Sequence, residues 1–166
     1  RISIPILSEA GAYGNMRLYL PGASEGKFIN TRGRGRNLLR LYPYDQLMYD
    51  RIVLCEGELK AIVAADQLNK HDIGAICVTG GGGSAWDTKL SRHFASKTVY
   101  ICYDIDDPGI KAADMKCRIL SPCTAWIGLI ELPLDIKEYP HGDINDFIVA
   151  GGDLLPLIEV CPLWEY

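Results

Sequence analysis

The chain has 166 residues, 48% hydrophobic and 23% charged, which suits one domain with at most a small appendage and a core that needs no covalent staples. No run approaches the roughly 18 consecutive apolar residues of a transmembrane helix and no signal peptide is visible, so nothing supports a membrane role. The net charge of −4 argues against a uniformly basic surface, but it is unevenly spread: residues 1–50 carry a local +3 and residues 51–166 a local −7. A basic arm ahead of an acidic body suits one part that grips phosphate and another that holds cations.

In chain order, the sequence opens on Arg1 and reads as an excised piece of a longer protein. Ile2–Leu7, Met16–Leu20 and Lys27–Asn30 have strand character, with Gly11, Gly14, Gly22 and Gly26 between them as turns. An Arg32-Gly33-Arg34-Gly35-Arg36 alternation follows, and then Leu38–Tyr42 leads to Pro43.

From residue 51 strands and helices alternate. Arg51–Cys55 is a buried-strand candidate, and Leu59–Lys70 carries apolar Leu59, Ile62, Val63, Ala65 and Leu68 at helical spacing. Ala75–Thr79 is a second strand, Gly80 to Gly83 a tight loop, and Ser84 an N-cap for a helix expected to run to about Ala95. Thr98–Tyr103 is a third strand, a helix from about Pro108 to Leu120 begins on proline, and Thr124–Ile130 is a fourth strand. Ile144–Ala150 is a short helix ended by Gly151-Gly152. Asp153–Tyr166, with Pro156 and Pro162, reads as a tail or linker. Such repetition argues a parallel α/β sheet flanked by helices.

The six cysteines include no C-x-x-C pair, which disfavours a zinc ribbon. Cys55, Cys77 and Cys102 sit among apolar residues as small hydrophobes. Reduced cysteines in a cytoplasmic protein are the expectation.

Ligands of open parallel sheets sit beyond the carboxyl ends of the strands, and three such ends carry a signature. Asp104 and Asp106, two apart in extended chain, would project to one side, and their mutual repulsion calls for a cation. A hard, oxygen-seeking Mg²⁺ (or Mn²⁺) is suited to that place. The same acids before Pro108 also suit a helix N-terminus. Glu56, directly after Ile52-Val53-Leu54-Cys55, stands at the sheet edge where a metal would lie, whereas Glu58 suits the first helical turn. The loop Thr79-Gly80-Gly81-Gly82-Gly83-Ser84 offers backbone amides to a phosphate, or is merely a flexible connection; it is neither G-x-G-x-x-G nor a Walker A sequence. In His141-Gly142-Asp143-Ile144-Asn145-Asp146, Asp143 by itself reads as a helix cap.

Together these pieces resemble the TOPRIM domain shared by primases, topoisomerases and some small nucleases: Glu56 in Val53-Leu54-Cys55-Glu56-Gly57-Glu58, then Asp104 and Asp106 in Tyr103-Asp104-Ile105-Asp106-Asp107-Pro108-Gly109. The resemblance spans about Arg51–Gly151, residues 51–151. Gly14-Asn15-Met16-Arg17-Leu18 followed by Lys27-Phe28-Ile29-Asn30-Thr31 is similar to the basic segment preceding TOPRIM in DnaG-type and phage or plasmid primases, which assigns residues 1–50 to a small basic α+β subdomain and 152–166 to a tail. Gly142-Asp143-Ile144-Asn145 resembles their Lys-Asp-x-Asn stretch, with Gly142 where lysine is usual, so a positive group is missing from the site or supplied elsewhere. The first motif shows neither form typical of topoisomerases.

The resemblance implies synthesis of RNA primers from ribonucleoside triphosphates on a single-stranded DNA template. Metal would be held by Glu56, Asp104, Asp106 and Asp143, with Glu56, Asp104 and Asp106 catalytic. Lys27, Arg32, Arg34, Arg36, Gly80 and Gly81 would bind nucleic acid or nucleotide, and a replicative helicase, fused or separate, is a further implied partner. Two alternatives stand beside this: a TOPRIM nuclease hydrolysing phosphodiesters, and a non-catalytic nucleic-acid-binding module.

Overall fold

A computed structural model describes residues 1–7, 11, 13–22, 28–30, 40–79 and 86–165. Its larger part is a five-stranded sheet in the order β4-β6-β5-β7-β8, formed by β4 (Leu41–Tyr42), β5 (Arg51–Cys55), β6 (Ile73–Val78), β7 (Thr98–Cys102) and β8 (Trp126–Leu129). The pairings among β5, β6, β7 and β8 are parallel, and β4 alone joins antiparallel, through Leu41–Val78 and Tyr42–Cys77.

The sheet is covered on both faces, which is why its strands read as continuous apolar runs rather than alternating ones. Val53 and Cys55 of β5 face α1 (Glu58–Leu68), α3 (Ile144–Val149) and α4 (Leu154–Glu159), where Ala61, Ala64, Leu68, Phe147 and Leu154 close one core. Ile52 and Leu54 point the other way, onto Ala112, Ala113, Cys117 and Leu120 of α2 (Asp107–Leu120). The two faces of one strand thus serve two cores, as the two-residue period of a strand requires.

This arrangement also places the site. The chain leaves the carboxyl end of β5 through α1 on one face toward β6, and leaves the adjacent end of β7 through α2 on the other face toward β8. Between two neighbouring strands whose connections depart in opposite directions a crevice opens. Glu56 and Asp104 flank it.

A second sheet precedes the first: β1 (Ile2–Leu7), β2 (Tyr13–Tyr19) and β3 (Phe28–Asn30), antiparallel in that order. Ile4 and Ile6 of β1 are buried.

Several boundaries differ from the sequence expectation. Residues 41–50, assigned to the basic segment, belong with the α/β body, because β4 completes its sheet and a 3-10 turn at Tyr44–Met48 packs on β6. Of the helix expected from Ser84 to about Ala95, the Ser84 cap lies outside the described residues, and Thr88–Phe94 is a 3-10 segment capped by Asp87, which accepts a bond from the Lys89 amide. Leu90 and Phe94, four residues apart, are its buried side chains. Residues 153–165 pack against the body. Leu154 and Ile158 of α4 enter the core, and the Trp164 amide donates to the Ile127 carbonyl at 2.9 Å. The prolines that suggested a linker lie within or just beyond this short helix.

All six cysteines are unpaired. Burial pushes the thiols of Cys55, Cys77 and Cys102 well up, and that of Cys117 to about 12, so they stay protonated packing groups. Among the described residues no helix is long and apolar enough to cross a membrane.

Candidate active site

Three acids and a lysine meet at the crevice. Glu56 follows β5, Asp104 follows β7 after Tyr103, and Asp143 is the N-cap of α3. Asp104 and Asp143 both reach the Lys60 ammonium of α1: Asp104 Oδ1 in a close ion pair, and Asp143 Oδ2 at 3.3 Å. Glu56 Oε2 lies 3.5 Å from the Asp104 amide and adds its charge to the field at Lys60. Burial pushes the Asp104 carboxyl up to about 7; Lys60 pulls it down, and the Glu56 charge adds to the rise. Burial by itself would lower Lys60, but contact with Asp104 and the charges of Asp143 and Glu56 outweigh it and hold the ammonium above the ordinary lysine value.

Asp143 combines two tasks. Its Oδ1 accepts from the Asn145 and Asp146 amides at 2.7 and 3.1 Å, while Asp146 reaches back to the Asp143 amide at 3.2 Å, a capping box that fixes the side chain. Its Oδ2 is left to face Lys60. The cap reading and the ligand reading of this residue are therefore compatible, one oxygen for each.

Asp106 is turned to other partners. Its Oδ1 caps α2 by accepting from the Gly109 amide at 2.8 Å, and its Oδ2 lies 2.9 Å from His141 Nδ1. The His141 contact, then the Gly109 bond, hold its carboxyl below the usual range. The expected shared side of Asp104 and Asp106 divides here: beyond β7 the chain bends at residues 105–106, so Asp104 faces α1 and Asp106 faces the start of α2 and His141. Gly109 makes this turn sterically feasible, since a Cβ there would stand 2.3 Å from the Asp104 carbonyl oxygen.

Lys60 and Glu58 carry structural weight that the sequence reading missed. Glu58, expected to be only a helix-start acid, is buried and ion-paired with Arg17 of β2. Lys60 looked like one more polar residue of an amphipathic helix; its only sequence signal is a cation in a first turn that normally favours acids. The remaining expected site residues, Lys27, Arg32, Arg34, Arg36, Gly80 and Gly81, lie outside the described residues.

Oxygen donors are the ligands a hard divalent ion requires, and the Lys60 ammonium already held among them shows that the cluster accepts positive charge. Glu56, Asp104 and Asp143 supply such oxygens and could hold an ion in the place of Lys60. Among the described residues no three His, Cys, Asp or Glu side chains form a ready-made metal cage.

No family model and no curated protein matches the chain in sequence. Solved structures do resemble it. The zinc-binding and RNA polymerase domains of the Aquifex aeolicus primase superpose with a TM-score of 0.77 at 21% identity, over 99% of this chain and 41% of that one. A DnaG primase catalytic domain bound to single-stranded DNA gives 0.73 at 18% identity, over 98% of this chain and 53% of that one. The primase fragment of the bacteriophage T7 primase-helicase gives 0.64 at 16% identity, over 95% and 61%. The fold is that of the catalytic domain of DnaG-type primases. The chain spans between about two fifths and three fifths of the length of these three structures.

Proposed function

We propose that this chain is the catalytic core of a DNA primase, making RNA primers from ribonucleoside triphosphates on single-stranded DNA. The observation that carries the reading is the convergence of Glu56, Asp104 and Asp143 at the crevice between β5 and β7, in a chain whose fold is that of a primase catalytic domain. Glu56, Asp104 and Asp143, with Asp106 at the rim, would hold Mg²⁺ or Mn²⁺. When bound, such an ion neutralises triphosphate charge and lowers the pKa of a primer 3′-hydroxyl.

The chain's own residues set up that chemistry. The capping box holds Asp143 still, α2 anchors the loop that presents Asp104 and Asp106, and Glu56 lies beside Asp104 as a second carboxylate able to take up a proton. Positioning and charge neutralisation are the main demands of phosphoryl transfer, and a site built mostly of acids meets them. Lys27, Arg32, Arg34 and Arg36 would hold the nucleic-acid backbone or triphosphate, Gly80 and Gly81 would offer amides to phosphate, and a replicative helicase would be the protein partner.

The test is incubation of the full-length protein with single-stranded template, Mg²⁺ and labelled ribonucleotides. Template-dependent oligoribonucleotides are expected. Template cleavage without such products would favour a nuclease, and template binding with neither would favour a non-catalytic module.

A further inference from the structure

Lys60 is placed against the preference of its own helix. It is the third residue of α1, where the exposed amides and the macrodipole favour an acid and oppose a lysine. Its side chain is nevertheless drawn in to 16% exposure, between Asp104 at 17% and Asp143 at 19%. Those acids come from different elements, the end of β7 and the cap of α3, and would repel one another with no cation between them.

The members of this cluster differ in freedom. Asp143 is pinned by two amide bonds to its other oxygen, and Asp104 is held next to the end of a buried strand. Lys60 carries its charge on a flexible four-carbon stem and is the part able to leave. Position 142 is crowded for any side chain. A Cβ there would come within 2.9 Å of both Leu134 Cδ1 and Tyr139 Cβ, so the positive group that Gly142 lacks is supplied from α1.

We propose that Lys60 is a tethered counter-cation that occupies the divalent-ion position in the metal-free protein, so that an ion binds by displacing it. This rests on the reading of Glu56, Asp104 and Asp143 as a metal site, and it adds that the chain itself competes for that site. A competing ammonium lowers the apparent affinity for the ion while keeping the acids assembled in its absence.

Titration calorimetry with MnCl₂ on the full chain tests this. Lys60→Met should bind Mn²⁺ about tenfold tighter or more, and Lys60→Arg, which keeps the charge, should not. Without Mn²⁺ the methionine variant should melt at a lower temperature than wild type, and Mn²⁺ should restore it. Equal or weaker Mn²⁺ binding by Lys60→Met overturns the proposal while leaving the metal site intact; no uptake by any of the proteins removes the metal site and the proposal with it. A second measurement needs no variant: acetylation of Lys60 in wild type, followed by mass spectrometry, should accelerate several-fold when Mn²⁺ is added. A rate that stays the same or falls also overturns the displacement.

Discussion

Arg17 of β2 and Glu58 in the first turn of α1 form an ion pair whose side chains are 15% and 3% exposed, joining the N-terminal sheet to the helix that carries Lys60. Removing one member takes a charged partner from the other in a nearly dry contact. Glu58→Gln and Arg17→Met are each expected to cost about 3 kcal/mol in urea unfolding. The double substitution should cost clearly less than the two singles added together. Additive losses would mean that the two side chains do not stabilise one another.

The Asp104 carboxyl, pushed by burial to about 7 from 3.8, gives the metal-free protein a defined pH response. Because the folded-state pKa lies above the unfolded one, the native protein binds the extra proton across that window. Stability contributed at this site is present below the lower value and falls as pH rises toward the upper. The stability difference between wild type and Asp104→Asn, measured by chemical denaturation without metal, should shift against wild type between about pH 4 and pH 7. A pH-independent difference would contradict it.

At Asp106 two roles separate by substitution. Asp106→Asn keeps an oxygen for the Gly109 amide and should leave the melting temperature nearly unchanged. Asp106→Ala should cost about 1 kcal/mol through loss of the α2 cap. Mn²⁺ uptake should be abolished in the Asp104→Ala, Asp106→Ala double variant. Identical calorimetric uptake in wild type and that variant would show that metal binds elsewhere.

Gly109→Ala should be among the most damaging single-methyl additions in the chain. The new Cβ would press on the Asp104 main chain, which cannot rotate aside as a side chain would. A loss of about 2 kcal/mol or more is expected, together with weaker Mn²⁺ binding because the Asp104 loop must shift. Thermal melts and calorimetry on the same preparation would detect both.

The strands and helices of the body were legible because burial on both faces writes long apolar runs for β5, β6 and β7, and because Glu56 and Asp104 fall where those runs stop. The short elements were not. β4 has two residues and joins the sheet through partners 37 and 35 positions on, Val78 for Leu41 and Cys77 for Tyr42, a pairing that no local pattern encodes. α4 carries a proline that suggests a linker unless the cavity awaiting Leu154 and Ile158 is known. Within the site, the acids announced themselves by position, but Lys60 did not. A lysine in an amphipathic helix is ordinarily solvated, and only the fold of β7 and α3 around it reveals the two carboxylates that hold it.

The closing of residues 163–164 over β8 has a consequence for how this sheet meets other molecules. The far edge is β4, only two residues long. The opposite edge is covered where Leu163 bridges Gly128 and Trp164 bonds to Ile127. Short or covered edges resist the strand-to-strand self-association to which an open parallel sheet is prone. Any molecule approaching this body would therefore meet side chains at the crevice rather than a long open strand edge.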